Sequence, residues 1–400
     1  MSLISERLKA IKPSPTIAVS TKARELKAAG HNVIGLGAGE PDFDTEINIK
    51  NAAIEAINQG QTKYTAVDGT PELKNAIKNK FLKENNINYE LNEITVGTGA
   101  KQVLYNVFMA SLNSNDEVII PAPYWVSYPD IVLLSGGKAV IVPCGLKQNF
   151  KITPAQLEEN INDKTKWLIL NSPSNPTGAV YSKDELQELA KILKKHPQIN
   201  ILSDDIYEHI VFDDIKFTTI VEVAPELKER SFTLNGVSKS YAMTGWRIGF
   251  AGGNKELIKA ISIIQSQSTS NPCSISQAAA IEALNGPQDY IEKNTKLFQK
   301  RRDLVVDQLN NTPGLTTSKP QGAFYIFPYC QDLFGKKTPQ GTAINNSTDL
   351  ASYLLEDALV AVVPGIAFGA EGYFRISYAT SNEILEEACS RIKISLAKLT

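Results

Sequence analysis

The stretch NGVSKSYAMTGWRIGFAGG, residues 235–253, carries only two charged side chains, Lys239 and Arg247, among small, hydroxyl and apolar neighbours. Enclosing an ammonium without an anionic partner is costly. Such a lysine is a buried ion pair, a chain that snorkels to water, or an amine kept for chemistry. A free lysine, with a pKa of about 10.4, is a poor nucleophile at neutral pH, and a desolvated pocket removes that obstacle. A second cation in an apolar setting is Arg375, within YFRISYA. A buried arginine needs an anion, and its planar fork suits a carboxylate.

Other residues that could do chemistry follow apolar runs of strand length. NSPSNPTG sets Asn175 just past such a run, and SDDIYEHI does the same for Asp204 and Tyr207. Ligands of open parallel sheets bind at the carboxyl ends of the strands, so these side chains are candidates to line a crevice. A plain turn, a helix cap and a packed tyrosine account for them equally well. Trp125 in PAPYWVSYP either fills the core or stacks on a flat ring. TVGTGAKQ, with Gly97 and Gly99, links the strand EITVG to the helix AKQVLYNVFMASL, so its free amides and the helix dipole could hold a phosphate. Neither it nor GLGAGEPD completes GxGxxG, because Gln102 and Glu40 stand where the third glycine belongs, and no GxxxxGK[ST] exists. Cys144, Cys273, Cys330 and Cys389 form no CxxC pair, and His31, His196 and His209 show no HExxH spacing, so no metal site is expected.

The elements that must position these residues alternate. EVIIPAP, AVIVPC, WLILNSP, INILSDD and RSFTLNGVS read as strands separated by helical periodicity, which indicates a largely parallel sheet covered by helices. SKDELQELAKILKKH has a capping Ser182, acidic residues in its first turn and Leu186, Leu189 and Leu193 on one face, the pattern of an amphipathic crossover helix. From about Ile291 a long charged helix leads into AFYIFPYC, a helix near Asp349, VAVVPG, YFRISYA and a terminal helix. Four hundred residues exceed one ordinary core, so two domains are expected. One is a large α/β unit over 49–290; the other is a smaller discontinuous α+β unit formed by 1–48 with 291–400. GKKTPQGTAINNS, residues 335–347, is the best candidate for a mobile loop.

A formal net charge of −2 supplies no basic excess for a nucleic-acid backbone. The sequence shows no export signal and no apolar run of membrane-spanning length, and its scattered cysteines fit a reducing cytoplasm.

In order along the whole chain, AGEPDFDT, PYWVSYP, NSPSNPTG, SDDIYEH, SKSYAMTGWRIG and FRISYATS resemble the fold-type I pyridoxal-phosphate enzymes of aminotransferase class I, most closely bacterial aspartate aminotransferases. The resemblance implies a homodimer with shared active sites and Lys239 as the residue that carries pyridoxal 5′-phosphate covalently. It implies Asp204 at the pyridine nitrogen, Tyr207 and Asn175 at the ring's phenolic oxygen, and Trp125 on the ring face. Ser238, Arg247 and the amides of Gly99, Ala100 and Lys101 would hold the phosphate, with Tyr64 contributed by the other subunit. Arg375 would clamp the substrate α-carboxylate, with Asn175, Trp125 and the Gly39 backbone beside it, and Lys101 would meet a distal carboxylate. Lys12, in AIKPSPT, matches the place where members that accept prephenate use a lysine. Ala100, where glycine is frequent, and Glu46, where proline is frequent, are small departures. The activity implied is ping-pong transfer from aspartate to 2-oxoglutarate. Aromatic or prephenate acceptors, a lyase and a cofactor-binding sensor are the alternatives, and a sensor would need a DNA-binding segment for which the first 48 residues leave little room.

Overall fold

A computed structural model describes residues 3–11 and 15–400 of the chain. A sheet of seven strands forms its centre. From edge to edge they are Ile94–Gly97, Gly249–Gly252, Ser231–Gly236, Asn200–Asp204, Thr165–Asn171, Glu117–Ala122 and Lys138–Pro143. All neighbours pair in parallel except Gly249–Gly252, which runs antiparallel to both strands beside it. Trp167, Leu168, Ile169 and Leu170 are all buried, as a strand covered by helices on both faces requires.

The helices fit their sequence signals. Lys183–Lys195 opens on a capping box between Ser182 and Glu185, buries Leu186, Leu189 and Leu193, and places Lys194 and Lys195 where the dipole favours cations. Pro71–Asn85 begins with the Thr70 cap and a proline in its first turn, and ends at Asn86 in the left-handed region, φ 54°. The helix Ala100–Ser111 starts directly after Gly99, whose φ of +85° suits glycine and lets the chain turn sharply from the edge strand Ile94–Gly97.

Beyond the large sheet, Tyr325–Ile326, Phe374–Ser377 and Val363–Pro364 form a small antiparallel sheet. Ile34–Gly35, near the start of the chain, pairs in parallel with Val360–Ala361, and Ala23, Val33, Leu355 and Ala361 close a small apolar cluster across the two ends of the sequence. The segment after this strand returns to the large sheet, bringing Gly37 and Gly39 over the carboxyl ends of its strands.

One expectation is corrected. Residues 335–347 are not a free loop: Gly335 N–H donates to Ile344, Ile344 N–H to Lys336 and Thr338 N–H to Thr342, while Lys337 and Thr400 exchange two backbone bonds. Polar, glycine-containing composition suggested mobility; a turn that satisfies its own amides has the same composition. Among the described residues, no helix is long and apolar enough to cross a membrane.

Candidate active site

Consecutive parallel strands end along one edge and deliver side chains to a single cavity of about 850 Å³. Asn171 and Asn175 come from the first of these strand ends, Asp204 and Tyr207 from the second, and Ser238 and Lys239 from the third. The helix start adds Ala100 and Lys101, Trp125 follows the strand Glu117–Ala122, and Arg247 precedes the antiparallel strand. Gly39, from the segment after Ile34–Gly35, and Arg375, on the strand Phe374–Ser377, reach the same space.

Lys239 Nζ donates to the Gly39 carbonyl at 2.6 Å and lies 5.9 Å from the Tyr207 ring centroid. No carboxylate among the described residues pairs with it at ion-pair distance, which removes the buried-ion-pair reading. Burial pushes its pKa down to about 8; Glu40 pulls the other way, and Arg375 and Arg247 add to the fall. Asp204 is the inverse case. Burial pushes its carboxyl up to about 6, against the Tyr128 hydroxyl, which donates to Oδ2 at 2.6 Å.

Arg375 is 4% exposed, yet among the described residues it meets only neutral oxygens: Nη1 donates to Asn175 Oδ1 at 2.9 Å and Nη2 to the Gly37 carbonyl at 2.7 Å. Its Nε has no partner among the described residues, and the rings of Tyr325 and Phe368 lie 4.6 and 5.0 Å from the guanidinium carbon. Burial lowers its pKa, the expected consequence of a cation enclosed without an anion.

A second cationic corner lies where Ala100–Ser111 begins. Arg247, in the left-handed region with φ 58°, donates to the Thr244 carbonyl at 2.9 Å and packs so closely on Gly99 that a Cβ there would collide with its guanidinium. A Cβ at Gly249 would collide with the Ala100 backbone in the same way. Both glycines therefore let backbone approach backbone at this corner. Ala100, in place of the more frequent glycine, is simply the first residue of the helix. Lys101 Nζ stands 4.8 Å from the Trp125 ring, and its pKa is lowered by burial first and by Arg247 second.

Of the residues singled out from sequence, two lie apart from the cavity and one is not described. Gly99 touches it only through Arg247; Tyr64 is 91% exposed and does not line the cavity of its own chain; Lys12 lies outside the described residues. Sequence reasoning missed Tyr128 and Tyr325. The first supports Asp204, and the second shares a 2.7 Å hydroxyl–hydroxyl bond with Tyr207. Tyr128 stands in PYWVSYP, which drew attention for Trp125, and Tyr325 in AFYIFPYC, read only as an element of the smaller unit; nothing local marks either tyrosine as part of the site.

A family model described as aminotransferase class I and II matches residues 31–392. The chain belongs to the class I and II aminotransferases. This aminotransferase is 65% identical over 393 residues to a probable aspartate/prephenate aminotransferase of Rickettsia felis, covering 98% of this chain and 96% of the relative. It is 58% identical to the aspartate/prephenate aminotransferase of Cereibacter sphaeroides over the full length of both. Among solved structures, an aspartate aminotransferase from Rhizobium meliloti superimposes with a TM-score of 0.98 at 54% identity, covering 100% of each chain. Class I aminotransferases are generally pyridoxal-phosphate-dependent, and their reaction is transamination between amino acids and 2-oxo acids.

Proposed function

We propose that this aminotransferase transfers the amino group of L-aspartate to 2-oxoglutarate, yielding oxaloacetate and L-glutamate, with pyridoxal 5′-phosphate carried on Lys239. The observation that carries the dicarboxylate reading is Arg375, a buried guanidinium with only neutral partners and an orphaned Nε, with the partly desolvated Lys101 amine lining the same cavity. Two cations without carboxylate partners among the described residues match two carboxylates. An aspartate aminotransferase of Thermus thermophilus, 41% identical with a TM-score of 0.92 and covering 99% of this chain and 100% of that one, was solved with maleate, itself a dicarboxylate.

The donor set fits the cofactor. An amine at about pKa 8 suits carbonyl condensation, and Arg247, Ser238 and the first amides of Ala100–Ser111 suit a phosphate. Asp204, raised to about 6 by burial, would gain from a cationic ring nitrogen opposite it and would hold the proton there. When bound, pyridoxal phosphate supplies the electron sink for loss of the proton on the substrate Cα. The Lys239 amine would be placed to take that proton and to hand one back. Tyr207, bonded to Tyr325, and Asn175 would hold the cofactor's phenolic oxygen, Trp125 would pack on its ring, and Arg375 beside the Gly39 backbone would bind the substrate α-carboxylate.

The working unit in this reading is a cytoplasmic homodimer, and the full exposure of Tyr64 supports its service to a second copy. The chain divides into a cofactor-binding unit, 49–290, and a smaller unit, 1–48 with 291–400, a division supported by the pairing of Ile34–Gly35 with Val360–Ala361. Prephenate is proposed as a further acceptor, because relatives at 58 and 65% identity bear that name. Lys12 would meet its additional carboxylate.

The test is a screen of amino donors against 2-oxoglutarate, oxaloacetate and prephenate, comparing kcat/KM. Aspartate with 2-oxoglutarate should lead. Absence of that activity would sink the substrate reading. Lys12→Ala should lower kcat/KM for prephenate alone, and an equal fall for aspartate would remove the special role of Lys12.

A further inference from the structure

Behind the cavity lies a polar cluster that the reaction as described does not use. Lys80, on Pro71–Asn85, is 4% exposed and forms an ion pair with Glu208, which is also 4% exposed. Lys80 Nζ also donates to Asn85 Oδ1 at 2.7 Å and stands 3.4 Å from Glu84. Glu208 is enclosed by donors: Asn85 Nδ2 reaches Oε2 at 2.8 Å and Asn235 Nδ2 reaches Oε1 at 2.6 Å. Its carboxyl is held below its ordinary value although burial alone would raise it, because Lys80, His209 and Asn85 favour the charged form. His209 completes the cluster, with Nε2 at 2.9 Å from Glu84 Oε2 and Nδ1 at 3.1 Å from Ser240 Oγ. A carboxylate can only accept, so Nε2 carries a proton; in the neutral ring Nδ1 then accepts from the Ser240 hydroxyl.

The sequence places this cluster directly under the reacting groups. Glu208 and His209 follow Tyr207, and Ser240 follows Lys239. In each case one residue faces the cavity while its successor bonds into the cluster on the other side. The turn that carries Lys239 is held by the buried side chains of Val237, Tyr241 and Met243 and by the Thr45 hydroxyl, which donates to the Ala242 carbonyl at 2.7 Å, and the His209–Ser240 bond adds a hold directly beside Lys239. Its backbone bonds are long, with Ala242 N–H to Lys239 at 3.3 Å, Met243 N–H to Ser238 at 3.2 Å and Val237 N–H to Ile248 at 3.4 Å. Ala242 within it stands in the left-handed region at φ 51°.

We propose that the His209–Ser240 bond, braced by Glu84 and by the buried Lys80–Glu208 pair, is a positioning device that fixes the Lys239 amine relative to Tyr207. It deepens the reading of Lys239 as the cofactor-bearing lysine and rests on that reading. Neither His209 nor Ser240 lines the cavity. Their effect passes through the backbone of the adjacent residue, and displacing a reacting group by about 1 Å can cost two orders of magnitude in rate.

Ser240→Ala removes one hydroxyl and spares the buried ion pair, so the fold should survive; Ser240→Thr keeps the hydroxyl, and His209→Ala tests the other side of the bond. Tyr353→Phe is the comparison: its hydroxyl donates to the Ser395 carbonyl at 2.8 Å in the smaller part of the molecule, far in the fold from the cavity. The holoenzymes are compared by kcat and KM for aspartate, by the pH midpoint of the cofactor's visible absorbance, and by thermal unfolding. Ser240→Ala and His209→Ala should lower kcat about tenfold with KM within about twofold. They should also move the spectral midpoint by roughly half a pH unit or more. Ser240→Thr should restore both readouts, and Tyr353→Phe should move thermal stability alone. If Ser240→Ala changes only thermal stability, as Tyr353→Phe does, the network is structural and the proposal is overturned. Lys239→Ala serves as the separate check on the underlying reading: retention of a covalently bound cofactor there would remove Lys239 as anchor, whatever Ser240→Ala does.

Discussion

Arg302 and Arg375 are both buried guanidiniums, and they are satisfied in opposite ways. Arg302, on the helix Asp289–Asn310, donates twice to Asp213, at 2.6 and 2.9 Å, once to Asp303 at 3.0 Å and once to the Pro320 carbonyl at 3.0 Å. Burial alone would lower its pKa, but these carboxylates more than offset that and raise it. Arg375 has no carboxylate among the described residues, keeps an idle Nε and faces a cavity. The two lysines repeat the contrast: Lys80 is paired with Glu208, and Lys239 donates to a carbonyl. A saturated buried cation holds the architecture together, and an unsaturated one facing a cavity is a receptor for an anion or a reactive amine.

The most severe break in this comparison is Lys239→Ala. It should abolish nearly all turnover and the visible absorbance of covalently attached cofactor while the circular dichroism spectrum of the folded protein persists. Normal turnover in that variant would refute the assignment.

Arg375→Lys trades a bidentate fork for a point charge, so kcat/KM should fall about a hundredfold for every amino donor tested, with little change in stability. Arg302→Met should do the reverse. It leaves the partly exposed Asp213 and Asp303 with Lys319 as their remaining cation and the Pro320 carbonyl without its donor, should cost about 1–3 kcal/mol of unfolding free energy, and should leave KM of the folded fraction alone. If Arg302→Met alters substrate binding, or Arg375→Lys only stability, the distinction between the two arginines fails.

Lys101→Ala sharpens the picture with a smaller, selective effect. Aspartate should lose about tenfold more kcat/KM than a monocarboxylic donor. Equal losses would assign Lys101 to the phosphate end of the cavity only.

The smallest expected effect concerns stability and pH. The Asp204 carboxyl keeps its proton up to about pH 6 in the folded protein, against about 3.9 when unfolded. Between those values the folded state binds more protons, so stability falls as pH rises through that window and the penalty persists above it. Asp204→Asn in the cofactor-free protein should therefore gain up to about 3 kcal/mol over wild type above pH 6, a gain that shrinks below pH 4, while activity is lost. Urea titrations at pH 4 and pH 7.5 measure this; a gain independent of pH would contradict the burial argument.

The strands and the helix Lys183–Lys195 were legible because their signals are local: apolar runs of strand length, a capping box and a leucine face. Residues 335–347 were misread because composition cannot tell a free loop from a turn bonded to Thr400. The supporting tyrosines escaped notice for a related reason. Tyr128 meets Asp204 across 76 positions and Tyr325 meets Tyr207 across 118, and no periodicity spans such distances.

By itself the sequence determined that Lys239 and Arg375 stand in apolar, nearly uncharged stretches and that six short motifs follow one another in a family's order. It could not determine which cations lack partners. Asp213 lies 89 positions from Arg302, and Asn175 lies 200 from Arg375. Whether a guanidinium finds a carboxylate or a carbonyl was decided by how the chain ends and the sheet edge come together, because desolvation and pairing depend on neighbours in space.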